Sequence, residues 1–271
     1  MQIALTIAGS DSGGGAGIQA DLKTFQRFGV FGTSAITAIT AQNTREVRAV
    51  HPIPVEMILA QLDALAADLP PAALKTGMLA TADVAAAVAD AIEGHGWAPY
   101  VLDPVMVASS GDRLLDAGAE GVVRRRLVPM AAIVTPNLDE AAILAGFPVN
   151  DPGSMERAGQ ALLALGAAAA LIKGGHLAGD QIVDVLVTRD GARHFAHDRI
   201  QSTSTHGTGC TLSAAVTAGL ARGRPLGVAV SDALAYVRRA IADRDGRSST
   251  RRARSSARQR ACRTPRRIRM A

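Results

Sequence analysis

The sequence of 271 residues predicts one large α/β domain whose central, mostly parallel sheet is covered by helices on both faces. Short apolar runs alternate along the chain with stretches of helical period, as strands and crossover helices do in such folds. Hydrophobic residues make up 48% of the chain, which supports a substantial core. Aromatic residues make up only 3%, so alanine, leucine and valine must fill that core. Two smaller domains are also compatible with this length.

Each element follows from this alternation. The short apolar runs predict strands at residues 3–8, 34–40, 73–78, 100–103, 132–135, 169–173 and 183–187. Helical periodicity predicts helices at residues 18–28, 55–68, 82–93, 117–127, 138–145, 154–165, 211–221 and 226–241. Ligands of parallel α/β sheets bind beyond the carboxyl ends of the strands. The polar motifs that follow these strands are therefore the candidate site.

The charge of the chain is unevenly distributed. Residues 238–271 carry 13 arginines against Asp243 and Asp245, whereas residues 1–237 carry 16 basic and 22 acidic residues. After Asp243 the apolar periodicity is lost, which predicts a folded domain over residues 1–243 and a disordered, arginine-rich tail over residues 244–271. We expect at most non-specific nucleic-acid binding by this tail, because it lacks interleaved aromatic residues and any known nucleic-acid module.

Composition argues against several other classes of protein. Cys210 and Cys262 lie far apart in different contexts, which argues against a disulfide framework and fits a reducing cytosol. His176 and His206 have no partners at metal-ligand spacing, so no zinc site is expected. The N-terminus has no basic region before its apolar residues, and charge or glycine interrupts each apolar run well before membrane-spanning length. We therefore expect a cytoplasmic protein without a membrane partner.

The segment 205–211, Thr-His-Gly-Thr-Gly-Cys-Thr, opens an apolar helical stretch. Glycines let a backbone close around a phosphate, and the first amides of a helix carry partial positive charge. Gly207, Thr208 and Gly209 are thus a candidate anion hole, and Cys210 is a candidate proton acceptor whose pKa a helix start would lower. Phosphoryl transfer to a hydroxyl would use both features. An ordinary glycine-rich turn, with Cys210 as a small apolar filler, explains the segment equally well when it is taken alone.

Two further motifs follow the first two predicted strands. Residues 9–17 include four glycines in the five positions 13–17, which suits a loop that closes over a small ligand. This motif is neither a P-loop nor a G-x-G-x-x-G fingerprint. Gln42 ends the second strand and can both donate and accept hydrogen bonds, which suits a heteroaromatic edge that carries an amino group. A flexible surface turn and a strand-capping amide are the plainer alternatives.

Three later strands end in charged or amide side chains. Asp103 follows one strand, Asn137 and Glu140 follow the next, and Lys173 precedes two glycines after the third. Carboxylates such as Asp103 and Glu140 are ligands that Mg²⁺ prefers beside nucleotide phosphates, and Lys173 could reach a phosphate. Asn137 could also simply cap a helix, a role that is compatible with a magnesium site nearby.

Taken together and in this order, the motifs resemble those of the bacterial hydroxymethylpyrimidine/phosphomethylpyrimidine kinases of thiamine biosynthesis, within the ribokinase-like superfamily. The resemblance is carried by residues 8–21, 40–43, 75–78, 103–106, 135–137, 173–176 and 205–211. It covers about residues 1–241, and an arginine-rich stretch then replaces the family's usual Gly-rich end. The resemblance implies a three-layer α/β/α fold, ATP as the donor, Mg²⁺ and a homodimer.

The resemblance also implies a role for each matching position. Gln42 matches the glutamine that reads the pyrimidine amino edge, and Cys210 matches the residue that deprotonates the hydroxymethyl group. Lys173 matches a contact to a nucleotide phosphate. The substrate pocket would include Gly9, Asp21, Met78 and Val105, the anion hole would be formed by residues 207–210, and the magnesium and phosphate neighbourhood would include Asp103, Asn137 and Glu140.

Two alternative functions stay open at this point. A related vitamin kinase that acts on pyridoxal or another hydroxymethyl heterocycle would share most of these motifs. A catalytically weakened member could instead act as a binding protein, because its C-terminal segment departs from the family pattern.

Overall fold

The alternation of strands and helices follows the sequence prediction closely. The computed structural model describes residues 1–106, 117–175, 177, 179–200 and 206–261, with side chains described up to residue 243. Its strands are β1 (Ile3–Asp11), β2 (Phe31–Gln42), β3 (Val47–Pro52), β4 (Ala73–Thr76), β5 (Tyr100–Leu102), β6 (Ile133–Val134), β7 (Ala169–Ile172), β8 (Gln181–Thr188) and β9 (Gly191–Asp198). Its helices are α1 (Gly17–Arg27), α2 (Val55–Asp68), α3 (Ala82–His95), α4 (Ala117–Val122), α5 (Val128–Met130), α6 (Leu138–Ala145), α7 (Pro152–Ala164), α8 (Thr208–Ala221) and α9 (Leu226–Ala261), with a π-helical turn at Val123–Leu127 between α4 and α5.

The strands form one sheet in the order β3-β2-β1-β4-β5-β6-β7-β8-β9. The strands from β2 to β7 in this order pair in parallel, whereas β3, β8 and β9 pair antiparallel at the two ends of the sheet. The predicted mostly parallel sheet is confirmed. The prediction missed β3 and β9, which are largely exposed and carry polar residues such as Arg48 and His194. Edge strands of this kind lack the continuous apolar run that identifies a buried parallel strand.

Helices cover both faces of the sheet. On one face, Leu5 and Ile7 of β1 belong to a core that includes residues of α2, α3, α6 and α7. On the other face, Ala4 packs with Phe25 of α1 and Ala214 of α8. Alternate side chains of a strand point to opposite faces, so β1 is buried on both. This is the three-layer α/β/α arrangement that the resemblance implies.

Helix α9 is longer than the sequence predicts. Its backbone is helical from Leu226 to Ala261 and continues past Asp243, where regular structure was expected to end. Arginine, alanine and glutamine are good helix formers, and the first proline after α9 begins is Pro265. The prediction that residues 244–271 form a separate, disordered tail stays a prediction, and residues 262–271 lie outside the described part. Among the described helices, none is both long enough and apolar enough to cross a membrane.

Candidate active site

The site residues named from the sequence gather around a cavity at the carboxyl edge of the parallel strands. The cavity has a volume of about 480 Å³ and lies against the first turn of α8. The predicted residues that line it are Gly9, Gln42, Met78, Asp103, Val105, Asn137, Glu140, Lys173, Gly207, Thr208, Gly209 and Cys210. Asp21 does not line the cavity and is fully buried. Asp11, Lys75 and His206 line the cavity but are not among the predicted site residues.

The first turn of α8 has the features of an anion site. Its N-cap, Gly207, has a left-handed φ of +78°, and a side chain there would overlap the carbonyl oxygen of Gly15. Thr211 stabilises the turn, because its amide and its hydroxyl donate to the Gly207 carbonyl at 2.9 and 2.8 Å. Lys173 Nζ would be 3.3 Å from a Cβ placed on Gly209. A helix start and an ammonium group therefore lie together at the cavity, as phosphate binding requires.

Cys210 lies in this first turn and is partly exposed at the cavity. Burial raises the pKa of its thiol to about 11; the Lys75 ammonium opposes this shift, and the Asp103 and Asp21 carboxylates add to it. The lowered pKa predicted from the helix start is therefore wrong. Desolvation and two nearby negative charges outweigh the favourable helix end, so Cys210 is a thiol at neutral pH.

Lys75, which lines the cavity, forms an ion pair with Asp21, which does not line it. Both side chains are 0% exposed, and Lys75 Nζ lies 3.1 Å from each carboxylate oxygen of Asp21. Thr6 Oγ1 donates to the same carboxylate at 2.7 Å. Burial lowers the pKa of Lys75, but the surrounding negative groups, Asp21 above all, hold this pKa above its ordinary value. The resemblance implies that Asp21 lines the substrate pocket, and the structure corrects this expectation. Asp21 instead orients Lys75, and Lys75 reaches the cavity.

Lys173 bridges two buried carboxylates. Its Nζ lies 3.2 Å from Asp103 Oδ1 and 3.8 Å from Glu140 Oε2. Asp103 also accepts hydrogen bonds from Ser213 Oγ at 3.0 Å and from Thr135 Oγ1 at 3.4 Å. Burial lowers the pKa of Lys173, but Asp103 and Glu140 outweigh it and keep the ammonium charged. Burial raises the pKa of Glu140 to about 7, although Lys173 opposes this shift.

The donor set around Lys173 fits a magnesium ion that arrives with a nucleotide. Mg²⁺ is usually held by one or two carboxylates together with substrate phosphates and water. Asp103 and Glu140 supply two carboxylates that already share one cation. Among the described residues, no group of three or more His, Cys, Asp or Glu side chains could hold a metal ion. These carboxylates therefore suit Mg²⁺ that keeps phosphate and water ligands, rather than a cage made by protein alone.

Asn137 and Glu140 form a capping box at the start of α6. Asn137 Oδ1 accepts from the Glu140 amide at 2.9 Å, and Glu140 Oε2 accepts from the Asn137 amide at 2.8 Å. The capping role considered for Asn137 is thus present. Both residues also line the cavity, so the cap places the Glu140 carboxylate beside Lys173. A contact between Asn137 and a nucleotide stays a prediction.

Another part of the wall combines one amide with apolar side chains. Met78 and Val105 belong to a small apolar cluster. Gly9 leaves room for Met78, because a Cβ there would be 3.3 Å from the Met78 sulfur. Ser12 fixes the end of β2, since its hydroxyl accepts from the Gln42 amide at 2.9 Å and donates to the Gln42 carbonyl at 2.8 Å. These bonds hold the backbone of Gln42 and so place its carboxamide beside the apolar side chains, an arrangement that suits a flat heterocycle.

Lys75 and Asp11 are site residues that the sequence analysis missed, and they differ in how easily the sequence reveals them. Lys75 stands inside a predicted apolar strand, and a lysine in such a place is a recognisable sign of a buried charge. Asp11 belongs to the glycine motif, and only its tertiary contacts distinguish it from its polar neighbours. His176 and Thr205, which belong to two of the motifs, lie outside the described residues.

The comparisons with known proteins agree with this geometry. The profile of the phosphomethylpyrimidine kinase family matches residues 11–251. A hydroxymethylpyrimidine/phosphomethylpyrimidine kinase from Rhizobium meliloti (strain 1021) is 51% identical over 244 residues, which are 90% of this chain and 91% of that protein. The crystal structure of a phosphomethylpyrimidine kinase from Clostridium difficile 630 has a TM-score of 0.80 and 40% identity, over 89% of this chain and 100% of that one.

A second solved structure belongs to a vitamin kinase with a different name. The pyridoxal kinase from Staphylococcus aureus, in complex with AMP-PCP and pyridoxal, has a TM-score of 0.81 and 36% identity, over 88% of this chain and 86% of that one. The ribokinase-like fold inferred from the sequence is confirmed by these likenesses. The relative from Rhizobium is about half identical along nine tenths of the chain, and the family profile spans most of it. The chain therefore belongs to the phosphomethylpyrimidine kinase family of phosphotransferases.

Proposed function

We propose that this protein phosphorylates the aminopyrimidine alcohol hydroxymethylpyrimidine, and then its monophosphate, to give the pyrophosphate used in thiamine biosynthesis, with ATP as the donor. One observation carries the proposal: the same cavity of about 480 Å³ is lined by Gln42, by Cys210 and by the first turn of α8. A small heterocycle and the terminal phosphate of a nucleotide must meet in one place for such a reaction. The family membership supports the same activity.

Gln42 is suited to the amino edge of the pyrimidine. The Thr40 hydroxyl lies 2.8 Å from the Ser10 carbonyl and 3.0 Å from Oε1 of Gln42, yet it has a single hydrogen to donate. If Thr40 donates to Ser10, it can accept from the Gln42 NH₂ after the carboxamide turns over. The carboxamide oxygen then points away from Thr40, where it can accept from an exocyclic amino group.

Cys210 would act on the hydroxymethyl group. With a pKa raised to about 11, it is mostly a thiol at neutral pH and orients the substrate hydroxyl by a hydrogen bond. The small thiolate fraction, which the Lys75 ammonium stabilises, would accept the proton. A loose transition state of phosphoryl transfer places little demand on a base, so both tasks are compatible with this environment.

The phosphate side of the cavity would neutralise charge. Lys173 and the backbone amides of the first α8 turn supply positive charge that is in place before the reaction, which is the most effective form of electrostatic stabilisation. Asp103 and Glu140 would hold Mg²⁺, which would neutralise charge on the ATP phosphates when bound. Asn137 would contact the nucleotide from the capped start of α6.

We further propose a homodimer that works in the cytoplasm. Large apolar side chains are exposed on neighbouring elements at one end of the sheet: Phe31 (45%) and Ile39 (51%) of β2, Val50 (40%) of β3 and Met57 (56%) of α2. A second copy would cover such surface. Light scattering after size-exclusion chromatography should give twice the chain mass, and a strictly monomeric mass at micromolar concentration would contradict the dimer.

A pyridoxal-type activity is the second candidate, and the likeness to the Staphylococcus aureus pyridoxal kinase is the observation that favours it. The test compares ATP-dependent phosphorylation of hydroxymethylpyrimidine, its monophosphate and pyridoxal by the same preparation. We expect the two pyrimidines to have the higher kcat/KM. A preference for pyridoxal would replace the proposal with the second candidate. Nucleotide binding without turnover of any of the three would support a weakened binding protein.

Substitution of Gln42, the residue proposed to bind the amino edge of the pyrimidine, makes this test more specific. Gln42→Leu should lower kcat/KM for hydroxymethylpyrimidine about 10- to 100-fold, as expected when a polar substrate edge is left unpaired. Gln26→Leu is the matched control, because Gln26 is an exposed glutamine of α1 outside the cavity. If Gln42→Leu keeps the wild-type kcat/KM, Gln42 does not read the pyrimidine.

A further inference from the structure

Asp11 organises the glycine-rich loop that follows β1. Its side chain is 2% exposed, and its carboxylate accepts hydrogen bonds from three backbone amides of the loop. Oδ1 accepts from Gly13 at 2.7 Å, and Oδ2 accepts from Gly15 at 3.0 Å and from Ala16 at 2.8 Å. These bonds close residues 11–17, here called the glycine loop, around one carboxylate.

The same carboxylate also contacts the anion site. His206 Nε2 lies 3.1 Å from Asp11 Oδ2, and His206 immediately precedes Gly207, the N-cap of α8. The backbones meet at a second point, because a side chain on Gly207 would overlap the Gly15 carbonyl oxygen. A Cβ on Gly15 would in turn be 2.8 Å from Cδ2 of His206. The glycine loop and the first turn of α8 therefore touch through a backbone contact that only a glycine at position 207 permits, and Gly15 lets the His206 ring lie close to the loop.

The electrostatic state of Asp11 suits this arrangement. Burial raises the pKa of the carboxyl, but the contact with His206 and the three backbone amides together outweigh burial and hold the pKa below its ordinary value. Asp11 is thus ionised at neutral pH and can accept all four contacts. Oδ1 accepts one of the four contacts, and the three contacts on Oδ2 share its two lone pairs.

We propose that Asp11 and His206 are positioning residues that clasp the glycine loop to the first turn of α8, and so set the separation between the bound alcohol and the phosphoryl group. This inference rests on the proposed function, since it assumes that the loop covers the substrate and that the turn binds phosphate. Both residues act through the backbone segments they hold together. Small errors in such a separation are costly, because a displacement of about 1 Å can lower turnover about 100-fold.

We call the contact between Asp11 and His206 the clasp. A double-mutant cycle on turnover tests it. His206→Ala removes the donor, Asp11→Asn removes one acceptor oxygen, and a third variant combines them. We expect His206→Ala to lower kcat about tenfold and Asp11→Asn to lower it about 10- to 100-fold. The combined variant should lose less than the product of the two single losses, since Asp11→Asn already removes the negative charge and one of the oxygens that can accept from His206. If the two losses multiply, the residues act independently and the clasp is wrong.

A conservative variant separates positioning from simple stability. Glutamine can offer an N–H near the position of His206 Nε2, so His206→Gln should recover most of the kcat lost in His206→Ala. Melting temperatures are measured in parallel. If His206→Gln is as impaired in kcat as His206→Ala, the contact with Asp11 does not position the site. This comparison leaves the loop-closing bonds of Asp11 intact, so it holds even if Asp11→Asn does not fold.

Glu156 and His194 provide the matched control pair. They form a histidine–carboxylate contact of 2.6 Å between α7 and β9, away from the cavity. Glu156→Gln, His194→Ala and their combination should each keep kcat within about twofold of wild type. If these variants lose as much kcat as the Asp11 and His206 variants, then breaking a histidine–carboxylate pair lowers kcat wherever the pair lies. That result would overturn the proposal.

Hydrogen exchange without substrate distinguishes failure of the clasp from failure of the proposed function. In His206→Ala, amides of the glycine loop and of residues 207–209 should exchange faster together, while those of β9 stay unchanged. This result would support the clasp even if the wild-type protein phosphorylated another alcohol. Unchanged exchange in both segments would overturn the clasp whatever the substrate is.

Discussion

Two lysine–aspartate pairs border the cavity, and their ion-pair distances are nearly the same. Lys75 Nζ lies 3.1 Å from Asp21 Oδ2, and Lys173 Nζ lies 3.2 Å from Asp103 Oδ1. Both side chains of the first pair are 0% exposed, whereas 15% of the Lys173 side chain is exposed. Both lysines line the cavity, so the exposed fraction of the side chain, rather than the ion-pair distance, distinguishes what the two pairs can do.

The first pair has fixed partners, and the second can exchange them. A fully buried charge cannot leave its counter-ion without a desolvation cost of several kcal/mol. Lys173 already lies between Asp103 and Glu140, and Gly209 keeps the start of α8 close to its ammonium group. We therefore expect Lys75 and Asp21 to maintain the shape of the site and Lys173 to serve the incoming phosphate.

Breaking the buried pair should have the largest effect. Lys75→Met should lower the free energy of unfolding by about 3–5 kcal/mol, because it leaves Asp21 buried without its counter-ion. Urea unfolding measures this loss. The control is the triple variant Thr6→Val, Asp21→Leu, Lys75→Met, which replaces these three side chains by apolar ones. It should recover most of the stability, because Asp103, 3.9 Å from Lys75 Nζ, still pairs with Lys173. A triple variant as unstable as Lys75→Met would mean that packing, rather than the unpaired charge, causes the loss.

Removal of the partly exposed Lys173 should mainly affect turnover. Lys173→Met should lower kcat about 10²- to 10³-fold, the range typical of a lost group that stabilises transition-state charge. Its stability loss should be about 1.5–3 kcal/mol, because Ser213 and Thr135 still donate to Asp103. Steady-state kinetics and urea unfolding on the same samples give both values. If Lys173→Met is as unstable as Lys75→Met but fully active, the proposed division of tasks is reversed.

A smaller effect of Lys75 should be visible at Cys210. In a Cys262→Ser background, alkylation of Cys210 by iodoacetamide should increase with pH up to about 11, because only the thiolate reacts and burial raises its pKa. Lys75→Met should move this midpoint to still higher pH by removing a cation that favours the thiolate. A lower midpoint in Lys75→Met, at pH values where circular dichroism shows the variant still folded, would contradict the electrostatic link.

Turnover then separates the two roles of the thiol. Cys210→Ala should lower kcat about 10²- to 10⁴-fold and leave nucleotide binding intact. If the thiolate is the base, the wild-type kcat should increase with pH between about 8 and 10, below the raised pKa. A flat profile in that range, with Cys210→Ala still impaired, would assign Cys210 to orientation alone. Turnover of Cys210→Ala within threefold of wild type would remove it from the mechanism.

The smallest effect is expected from removal of the C-terminal segment, residues 244–271. Truncation after Asp243 should leave the melting temperature nearly unchanged, because residues 244–271 offer few apolar side chains to offset an ordering cost of about 1–2 kcal/mol per residue. It should also weaken salt-dependent, non-specific binding to polyanions. Strong amide protection across residues 248–260 in hydrogen exchange would show that the segment is packed, contrary to this prediction.

The sequence by itself determined the layers of the fold and the edge at which the site lies. Apolar runs of strand length between helical stretches require a parallel sheet buried on both faces, and this pattern is local enough to be read from residues such as Ala4, Leu5 and Ile7. The order of the motifs identified the family. The edge strands β3 and β9 were not predicted, because a strand exposed to solvent has no apolar run that identifies it.

The tertiary structure alone decided which charges meet. Asp21 and Lys75 are separated by 54 positions, and Asp11 and His206 by 195, so nothing local in the sequence links them. The pKa of Cys210 was wrongly predicted for the same reason, since the helix start is visible in the sequence but burial and two distant carboxylates are not. Periodicity is a property of neighbouring residues and can be read along the chain. Burial and Coulomb interactions depend on distances in space, which exist only once the chain has folded.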